Sequence, residues 1–271
     1  MAADTPTRTT RLPALRRLSP HSAQPWILMY HSVADPTDDP YGITVAPGRL
    51  DQQLRWLRGR GLTGVDIGTL LRAHTAGRSK GLVGLTFDDG YTDFLDEALP
   101  ALRRHECTAT VFVLPGRLDG SNAWDPLGPR KPLLTEDGIR AVADAGMQVG
   151  SHGLVHQDLT EASDDVLRQE TRRSRELIHD ITGEAPEGFC YPYGTVDRRA
   201  VDAVRDAGFA YGCAIAPGPL AGPYALARTH ISHADRGARL WAKRLRPAFA
   251  PRTAFAPADM PAAPAPVGDG R

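Results

Sequence analysis

Short apolar runs recur along the chain, and most are separated by segments in which apolar residues return every three or four positions. The runs predict β-strands at residues 26–30, 64–67, 82–87, 109–114, 147–150, 188–191, 209–215 and 226–231. The periodic segments predict helices at residues 47–60, 135–145, 163–182 and 197–207. Alternating strands and helices are typical of a parallel sheet, and about eight such units in one domain favour a closed or nearly closed barrel. The predicted fold is α/β, a distorted (β/α) barrel of about seven to eight strands.

The composition fits one large globular domain or two small ones. The chain has 271 residues, of which 41% are hydrophobic, and these are enough to bury a full core. Basic and acidic residues balance at 32 each, so no global field predicts a nucleic-acid partner. The three cysteines, Cys107, Cys190 and Cys213, are odd in number and not paired as metal ligands. We therefore expect packed thiols in a reducing compartment and a cytoplasmic location.

The two ends of the chain differ in composition from its body. Residues 1–24 contain several arginines but no apolar stretch of a signal peptide, which predicts a flexible basic arm. Residues 247–271 are rich in proline and alanine and lack periodicity, which predicts a disordered tail. The folded domain is therefore predicted at residues 25–246. No run reaches membrane-spanning length, although a weak contact of the basic segments with a membrane surface stays open.

Polar residues follow the ends of several predicted strands. In a barrel of parallel strands the carboxyl ends of the strands form one rim, and catalytic groups lie there. The polar groups at this predicted rim are His31, Asp88, Asp89, His152, His156, Tyr193, Arg228 and His230. Each of them alone has an ordinary structural explanation, but their shared position predicts a functional site.

Two adjacent carboxylates, Asp88 and Asp89, end the apolar run at residues 82–87 and precede Gly90. Burial and mutual repulsion destabilise such a pair unless a cation or a proton-transfer role compensates. A solvated turn is the alternative, because Asp-Gly is ordinary turn chemistry. The pair by itself does not decide between the two.

The segment Ser-His-Gly-Leu-Val-His carries two histidines four positions apart, His152 and His156. In an extended strand the two imidazoles would stand roughly 13 Å apart, too far to share one ion. Gly153 allows the chain to bend, and in a turned segment both rings can bind one cation at about 2.0–2.1 Å. Together with a carboxylate at the same rim, they favour a metal site with open coordination positions.

Three short motifs, Thr-Phe-Asp-Asp-Gly, Ser-His-Gly-Leu-Val-His and Tyr-Pro-Tyr-Gly, occur in this order along the chain. Together they resemble the first three motifs of the polysaccharide deacetylase family, carbohydrate esterase family four, also called the NodB-homology domain. The resemblance spans about three quarters of the chain. It implies a distorted (β/α) barrel that binds one divalent metal, most often zinc, and hydrolyses N-acetyl groups of amino sugars.

The resemblance also implies roles for individual residues. Asp89, His152 and His156 would hold the metal, and Asp88 would be the general base. The backbone N–H of Tyr193 would stabilise the charge that develops on the carbonyl oxygen. The substrate would be an N-acetylated amino sugar in a polysaccharide, a lipid-linked sugar or a small glycoconjugate.

This sequence departs from the family pattern in two places. The arginine that usually opens the third motif and pairs with the base is Cys190 here, and the fourth motif has no match. Because strand side chains alternate, Arg228 and His230 are expected to face the same way. The family's fifth motif is an apolar strand that ends in the acid histidine, and Ala-Leu-Ala-Arg-Thr-His-Ile resembles it loosely, which implies that His230 is the general acid. From the shared face we predict that Arg228 replaces the missing arginine and lies within hydrogen-bond reach of Asp88.

Other rim residues are second-rank candidates. His31 is expected to order the base, to contact substrate or to be a hydrogen-bonded structural histidine. Tyr91, Trp124 and Asp125 are expected near the sugar. Two further functions stay open. One is a degenerate barrel that binds glycan or metal without turnover, motivated by Cys190. The other is a non-haem iron oxygenase with two histidines and one carboxylate.

Overall fold

The structure, a computed structural model, describes residues 25–249. The predicted basic arm and the tail from residue 250 onward lie outside the described residues. The last described helix ends at Phe249, so regular structure continues past the predicted domain boundary at residue 246.

Apolar, mostly buried runs form the strands, as the sequence pattern predicts. They are β1 (Ile27–Tyr30), β2 (Thr63–Val65), β3 (Leu82–Phe87), β4 (Thr110–Val113), β5 (Gln148–Ser151), β6 (Gly188–Cys190), β7 (Tyr211–Ala214), β8 (Leu226–Ala227) and β9 (Thr229–His230). Every pair of neighbouring strands in the described part is parallel, in the order β8-β7-β6-β5-β4-β3-β1-β9, with β2 added beside β3. Parallel strands bring their carboxyl ends to one rim.

The last strand segment nearly closes the barrel. β8 pairs with β7, and β9 pairs with β1, so the two ends of the sheet order are consecutive in the chain. Only Arg228 separates β8 from β9. The sheet is thus a nearly closed α/β barrel, as predicted, and Arg228 lies at the closure.

Helices connect most of the strands. They are α1 (Pro47–Arg58), α2 (Ile67–Thr75), α3 (Leu99–Arg104), α4 (Glu136–Asp144), α5 (Asp164–Arg168), α6 (Ser174–Thr182), α7 (Arg198–Asp206) and α8 (Gly237–Phe249). Side-chain oxygens of Asp66, Thr135, Ser163 and Asp197 cap the first turns of α2, α4, α5 and α7. None of the helices within residues 25–249 has the length and apolar character needed to cross a bilayer.

The structure corrects the predicted elements in three places. Ile67, predicted to end a strand, begins α2, because the Asp66 carboxylate accepts the Thr69 N–H and starts a helix there. The helix whose start the sequence indicates after Gly90 begins at Phe94, and it opens with a π-helical turn at Phe94–Ala98 before α3 instead of a regular first turn. The predicted helix at 163–182 is interrupted by a π-helical turn at Gln169–Arg173.

The three cysteines are unpaired and buried, as predicted for packed thiols. Side chains from β1, β3, β4 and the helices around them form the largest group of buried apolar residues, which includes Tyr30, Phe87 and Phe94. The rings of Tyr30 and Phe87 stack at 5.2 Å just below the rim. This packing holds the ends of β1 and β3, and the residues that follow them, in fixed positions.

Candidate active site

The two adjacent carboxylates point to different partners because the backbone turns sharply between them. β3 ends at Phe87, and the Asp88 N–H still donates to Tyr30 O at 3.0 Å, in line with the sheet. Asp89 has a φ of 72° and Gly90 a φ of 67°. A left-handed conformation is rare for a residue other than glycine and is often found at functional sites. It turns Asp89 away from its neighbour although both carboxylates are buried.

Asp88 is held by a guanidinium group. Arg228 Nη1 donates to Asp88 Oδ1 at 2.7 Å and Arg228 Nη2 to Asp88 Oδ2 at 2.8 Å, and Nη1 also donates to Thr86 Oγ1 at 3.0 Å. The contact predicted between Arg228 and Asp88 is therefore present. Both side chains are almost fully buried, and such bidentate pairs are strong and directional.

The charges around Asp88 favour its ionised form. Burial alone would raise its pKa, but Arg228, followed by His31 and His152, outweighs burial and holds the pKa below its usual value. Burial would likewise lower the pKa of Arg228, and Asp88 instead raises it. The pair is therefore a carboxylate and a guanidinium, both charged.

Cys190 occupies a position beside this pair. Its Sγ lies 3.0 Å from Arg228 Nη2 and 3.6 Å from Asp88 Oδ2, and its side chain is fully buried. Burial raises the pKa of the thiol, which keeps it neutral. The positive charge beside Asp88 therefore comes from the strand that closes the barrel, and Cys190 on β6 contributes none.

Asp89, His152 and His156 form the second cluster. His152 Nε2 and His156 Nε2 lie 3.3 and 3.4 Å from Asp89 Oδ1, and all three side chains are buried. The chain leaves β5 at Ser151 and bends at Gly153, whose φ is 84°. His156 itself has a φ of 67°. The bend that the sequence requires for one shared ion is therefore present.

The donor atoms of this cluster suit a divalent cation. His152 Nδ1 donates to the Cys190 carbonyl at 2.8 Å, so Nε2, the nitrogen that faces Asp89, has its lone pair available for a cation once it has lost its proton. Asp89 Oδ1 is buried and has no partner with hydrogen-bond geometry. One ligand atom from each residue lies within 4.8 Å of the others, which fits a common ion. Two imidazoles and a carboxylate are ligands that zinc accepts, and they leave coordination positions open.

The pKa values of the cluster reflect the same proximity. Burial would raise the pKa of Asp89, yet the two imidazoles outweigh it and hold the pKa well below its usual value. Burial would lower the pKa of His152, but Cys190 and Asp89 raise it well above the usual range. In the polypeptide alone, His152 and Asp89 therefore form an ion pair. A bound cation would take the place of that proton.

An open cavity above both clusters carries aromatic side chains. The Trp124 ring stacks on His156 at 4.4 Å, nearly parallel, and Tyr193 meets the same imidazole edge-on at 4.6 Å. Tyr193 also has a left-handed backbone, with a φ of 59°. Further lining residues include His31, Tyr41, Asp125 and Ile215.

The structure brings most of the predicted site residues together. The cavity is lined by His31, Asp88, Asp89, Trp124, Asp125, His152, His156, Tyr193 and Arg228. His31 Nε2 lies 3.8 Å from Asp88 Oδ2. The rim residues Tyr41 and Ile215 were not predicted, although an aromatic residue in the Pro-Tyr-Gly loop after β1 was a usable signal for Tyr41.

Two predicted residues do not line the cavity. Tyr91, expected near the sugar, is 1% exposed and packed in the interior, because its backbone pairs with Leu133 directly after the turn. His230 does not line the cavity either, and its ring centroid lies 6.3 Å from that of His31. Residues 226–230 form two short strands that pair with opposite neighbours, and His230 lies beside His31 at the end of the second one.

Comparisons with known proteins agree with this geometry. The family model described as Polysaccharide deacetylase matches residues 75–212. The Bacillus subtilis protein YxkH, whose name contains the words polysaccharide deacetylase, is 27% identical over 212 residues, 76% of this chain and 71% of that protein. The peptidoglycan-N-acetylglucosamine deacetylase of Bacillus cereus is 29% identical over 119 residues, 44% of this chain and 38% of that enzyme.

A solved structure shares the fold. The Streptococcus pyogenes deacetylase PplD, solved in complex with acetate, superposes with a TM-score of 0.70 and 24% identity over 81% of this chain and 97% of that chain. At this level of identity the likeness concerns the fold alone.

Proposed function

The chain belongs to the polysaccharide deacetylase family and is a deacetylase, and we propose what it acts on and how. It removes the N-acetyl group from an N-acetylated amino sugar with the help of one divalent cation, most favourably zinc. The observation that carries the proposal is the pairing of two clusters in one cavity. A carboxylate held by a guanidinium lies directly beside a buried group of one carboxylate and two imidazoles. Such a pairing provides a proton acceptor and a cation site side by side.

Asp89, His152 and His156 would hold the cation. When bound, it would lower the pKa of a coordinated water and polarise the acetyl carbonyl. The remaining chemistry belongs to the side chains of the chain. Hydrolysis breaks the amide C–N bond, transfers hydroxyl from water to the acetyl carbon and leaves a free amine on the sugar.

Asp88 is proposed as the general base. Its two oxygens accept from Arg228, so the carboxylate stays ionised and has a fixed orientation toward the cavity. An ionised carboxylate in this position can accept the proton that the attacking water loses. The Tyr193 N–H is proposed to donate to the carbonyl oxygen as negative charge develops there. Its left-handed backbone at the cavity is consistent with that role.

The leaving amine needs a proton, and two histidines are candidates to supply it. His230 was the candidate from sequence, but it does not line the cavity. His31 lines the cavity and stands 3.8 Å from Asp88. We therefore assign the acid to His31, and we propose that His230 acts only through its contact with that ring.

Trp124 and Tyr193 are proposed to contact the sugar. Their rings flank His156 and reach the cavity, and Tyr193 is 51% exposed. Aromatic rings provide flat apolar surfaces, against which the apolar face of a pyranose can pack. The name of the Bacillus cereus relative supports N-acetylglucosamine as the acetylated unit.

An acetate-release assay tests the proposal. The purified protein, freed of metal and then supplied with zinc, is incubated with chitin oligosaccharides, peptidoglycan fragments and small N-acetylglucosamine conjugates. We expect equal amounts of acetate and free amine from at least one substrate, and a release slower by about 10²–10⁴-fold with Asp88→Asn. Glycan binding without acetate from the zinc-loaded protein would instead support the degenerate binder. Turnover that requires iron and oxygen would support an oxygenase. The cytoplasmic location stays a prediction, which cell fractionation can test.

A further inference from the structure

A buried carboxylate outside the two clusters contacts the loop that carries both histidines. Glu170 lies in the π-helical turn at Gln169–Arg173 and is 2% exposed. One of its oxygens, Oε2, accepts from the Leu154 N–H at 2.6 Å and from the Val155 N–H at 3.2 Å. Leu154 and Val155 lie between His152 and His156, so the carboxylate binds the backbone that joins the two imidazoles.

The preceding N–H group of the loop, that of Gly153, is linked to the same helical segment by two serine side chains. Gly153 N–H donates to Ser151 Oγ at 3.2 Å, and Ser151 Oγ donates to Ser174 Oγ at 2.8 Å. Ser174 Oγ in turn donates to the Glu170 carbonyl at 2.6 Å. Both serines are fully buried. Three successive N–H groups of the loop therefore have acceptors in one buried network.

The close contact between Glu170 and the loop requires a glycine at position 153. A Cβ on Gly153 would lie 2.6 Å from Glu170 Oε2, and Gly153 has a φ of 84°. A glycine is therefore needed at this position both for its conformation and for the close approach of the carboxylate. The π-helical turn that carries Glu170 is a further indication of function. Such turns are rare in proteins, and those that occur are often found at functional sites.

We infer that Glu170 is a positioning residue that shapes the His152–His156 loop for the cation, an inference that rests on the proposed function. A buried carboxylate without a salt bridge destabilises a protein unless it is well hydrogen-bonded. Glu170 Oε2 accepts two hydrogen bonds from the loop that holds the two imidazoles beside Asp89. Outer partners that orient metal ligands typically change metal affinity by about 10–100-fold when they are removed.

The experiment compares two substitutions with a control in the same helix. Glu170→Met fills a similar volume but provides no strong acceptor, whereas Glu170→Gln keeps a carbonyl oxygen that can accept both N–H groups. Ser163→Ala removes the cap of α5 at the start of the same helical segment and leaves the loop contacts intact. Each protein is prepared free of metal, and zinc affinity is measured by competition with a chromophoric chelator.

We expect Glu170→Met to weaken zinc binding by about 10–100-fold, and Glu170→Gln to remain within about threefold of the unsubstituted protein. Ser163→Ala should leave zinc affinity unchanged. In the metal-free proteins, amide hydrogen exchange at Leu154 and Val155 should accelerate in Glu170→Met and stay slow in the other two. Cobalt absorption of the loaded proteins should show an altered ligand field in Glu170→Met alone.

A folded Glu170→Met with unchanged zinc affinity and unchanged exchange at Leu154 would overturn the inference. If Glu170→Met does not fold, Glu170→Gln decides, because a tenfold loss of zinc affinity there would show that hydrogen-bond acceptance is not what matters. Exchange in the metal-free protein does not depend on any reaction. The inference can therefore hold even if no acetate is released, and it can fail while deacetylation is confirmed.

Discussion

Two neighbouring residues, Asp88 and Asp89, form the centres of two regions that differ in how their charge is compensated. Asp88 meets a guanidinium in a bidentate contact, and the chain itself supplies the opposite charge. Asp89 faces two imidazoles and keeps an oxygen without hydrogen-bond geometry. The Asp88 region is complete as a polypeptide, whereas the Asp89 region has the donor set of a cation site.

The backbone makes this difference possible. Asp88 continues the sheet by its bond to Tyr30 O, while Asp89 adopts a φ of 72°. One left-handed residue therefore sends two like charges to separate partners, which removes the repulsion that an adjacent buried pair would otherwise suffer. Sequence proximity thus places a base beside a metal ligand without making the two residues interchangeable.

The largest effect is expected when the Asp89 region loses a ligand. His152→Ala should abolish tight zinc binding and lower acetate release by about 10³-fold or more, because the cation supplies several kcal/mol of transition-state stabilisation. Zinc content after dialysis and the acetate-release rate, measured on the same sample, test this. A His152→Ala protein that keeps both zinc and full rate would place the cation elsewhere.

The Asp88 region should lose rate without losing metal. Asp88→Asn keeps the shape of the side chain and removes the basic oxygen, so turnover should fall by about 10²–10⁴-fold, the usual contribution of a general base. Zinc content should match that of the unsubstituted protein. If zinc is lost in parallel with rate, the roles of Asp88 and Asp89 are exchanged.

The proposed acid provides a third comparison. His31→Ala removes the imidazole that lines the cavity and should lower turnover by about 10²-fold, within the range for a general acid. His230→Ala should have a clearly smaller effect, since that ring lies against His31 and does not line the cavity. Single-turnover acetate release with both variants tests the order. A larger loss in His230→Ala would restore the assignment made from the sequence.

The contact between Asp88 and Arg228 could be predicted from the sequence, whereas the sequence pattern does not decide the role of His230. A base beside a cation needs a positive partner, and strand closure placed Arg228 where this partner was expected. The role of His230 stays a prediction, because the pairing partner changes between Ala227 and Thr229 and the pattern of one continuous strand does not describe such a junction.

Other features escape a pattern-based prediction. The stacking of Trp124 on His156 depends on a long loop, whose course periodicity does not describe. Glu170 was not predicted because an acidic residue in an amphipathic helix ordinarily faces solvent. Its burial follows from the π-helical turn, which shifts the helical register by an amount that apolar spacing did not reveal.

Removing the guanidinium should have a smaller effect on rate and a measurable one on stability. Arg228→Leu leaves the buried Asp88 carboxylate without its partner, which should lower the free energy of unfolding by about 3–5 kcal/mol. Turnover should fall by about 10–100-fold, as for other positioning partners, with zinc retained. Denaturant unfolding and acetate release test both numbers. Undiminished stability would mean that Asp88 has another compensating group.

Two further variants control for this prediction. The double variant Arg228→Leu with Asp88→Asn should be more stable than Arg228→Leu alone, because the unpaired charge is gone. The double variant Arg228→Leu with Cys190→Arg should regain part of the lost rate, since Cys190 Sγ already lies 3.0 Å from the guanidinium position. If neither double variant improves on Arg228→Leu, charge compensation does not explain the effect.

The smallest effect on turnover is expected for a substitution of Cys190. This substitution tests whether β6, which carries Cys190, helps Arg228 to orient Asp88. The thiol lies 3.6 Å from Asp88 Oδ2, is neutral and is fully buried. If Arg228 alone orients Asp88, Cys190→Ser alters only one weak contact of the carboxylate. Turnover should then change by about fivefold at most, because a single hydrogen bond contributes about 1 kcal/mol. Zinc affinity should also persist, because His152 is bound by the Cys190 carbonyl, which serine retains. A loss as large as that of Arg228→Leu, measured by acetate release at saturating zinc, would show that the thiol and the guanidinium position Asp88 jointly.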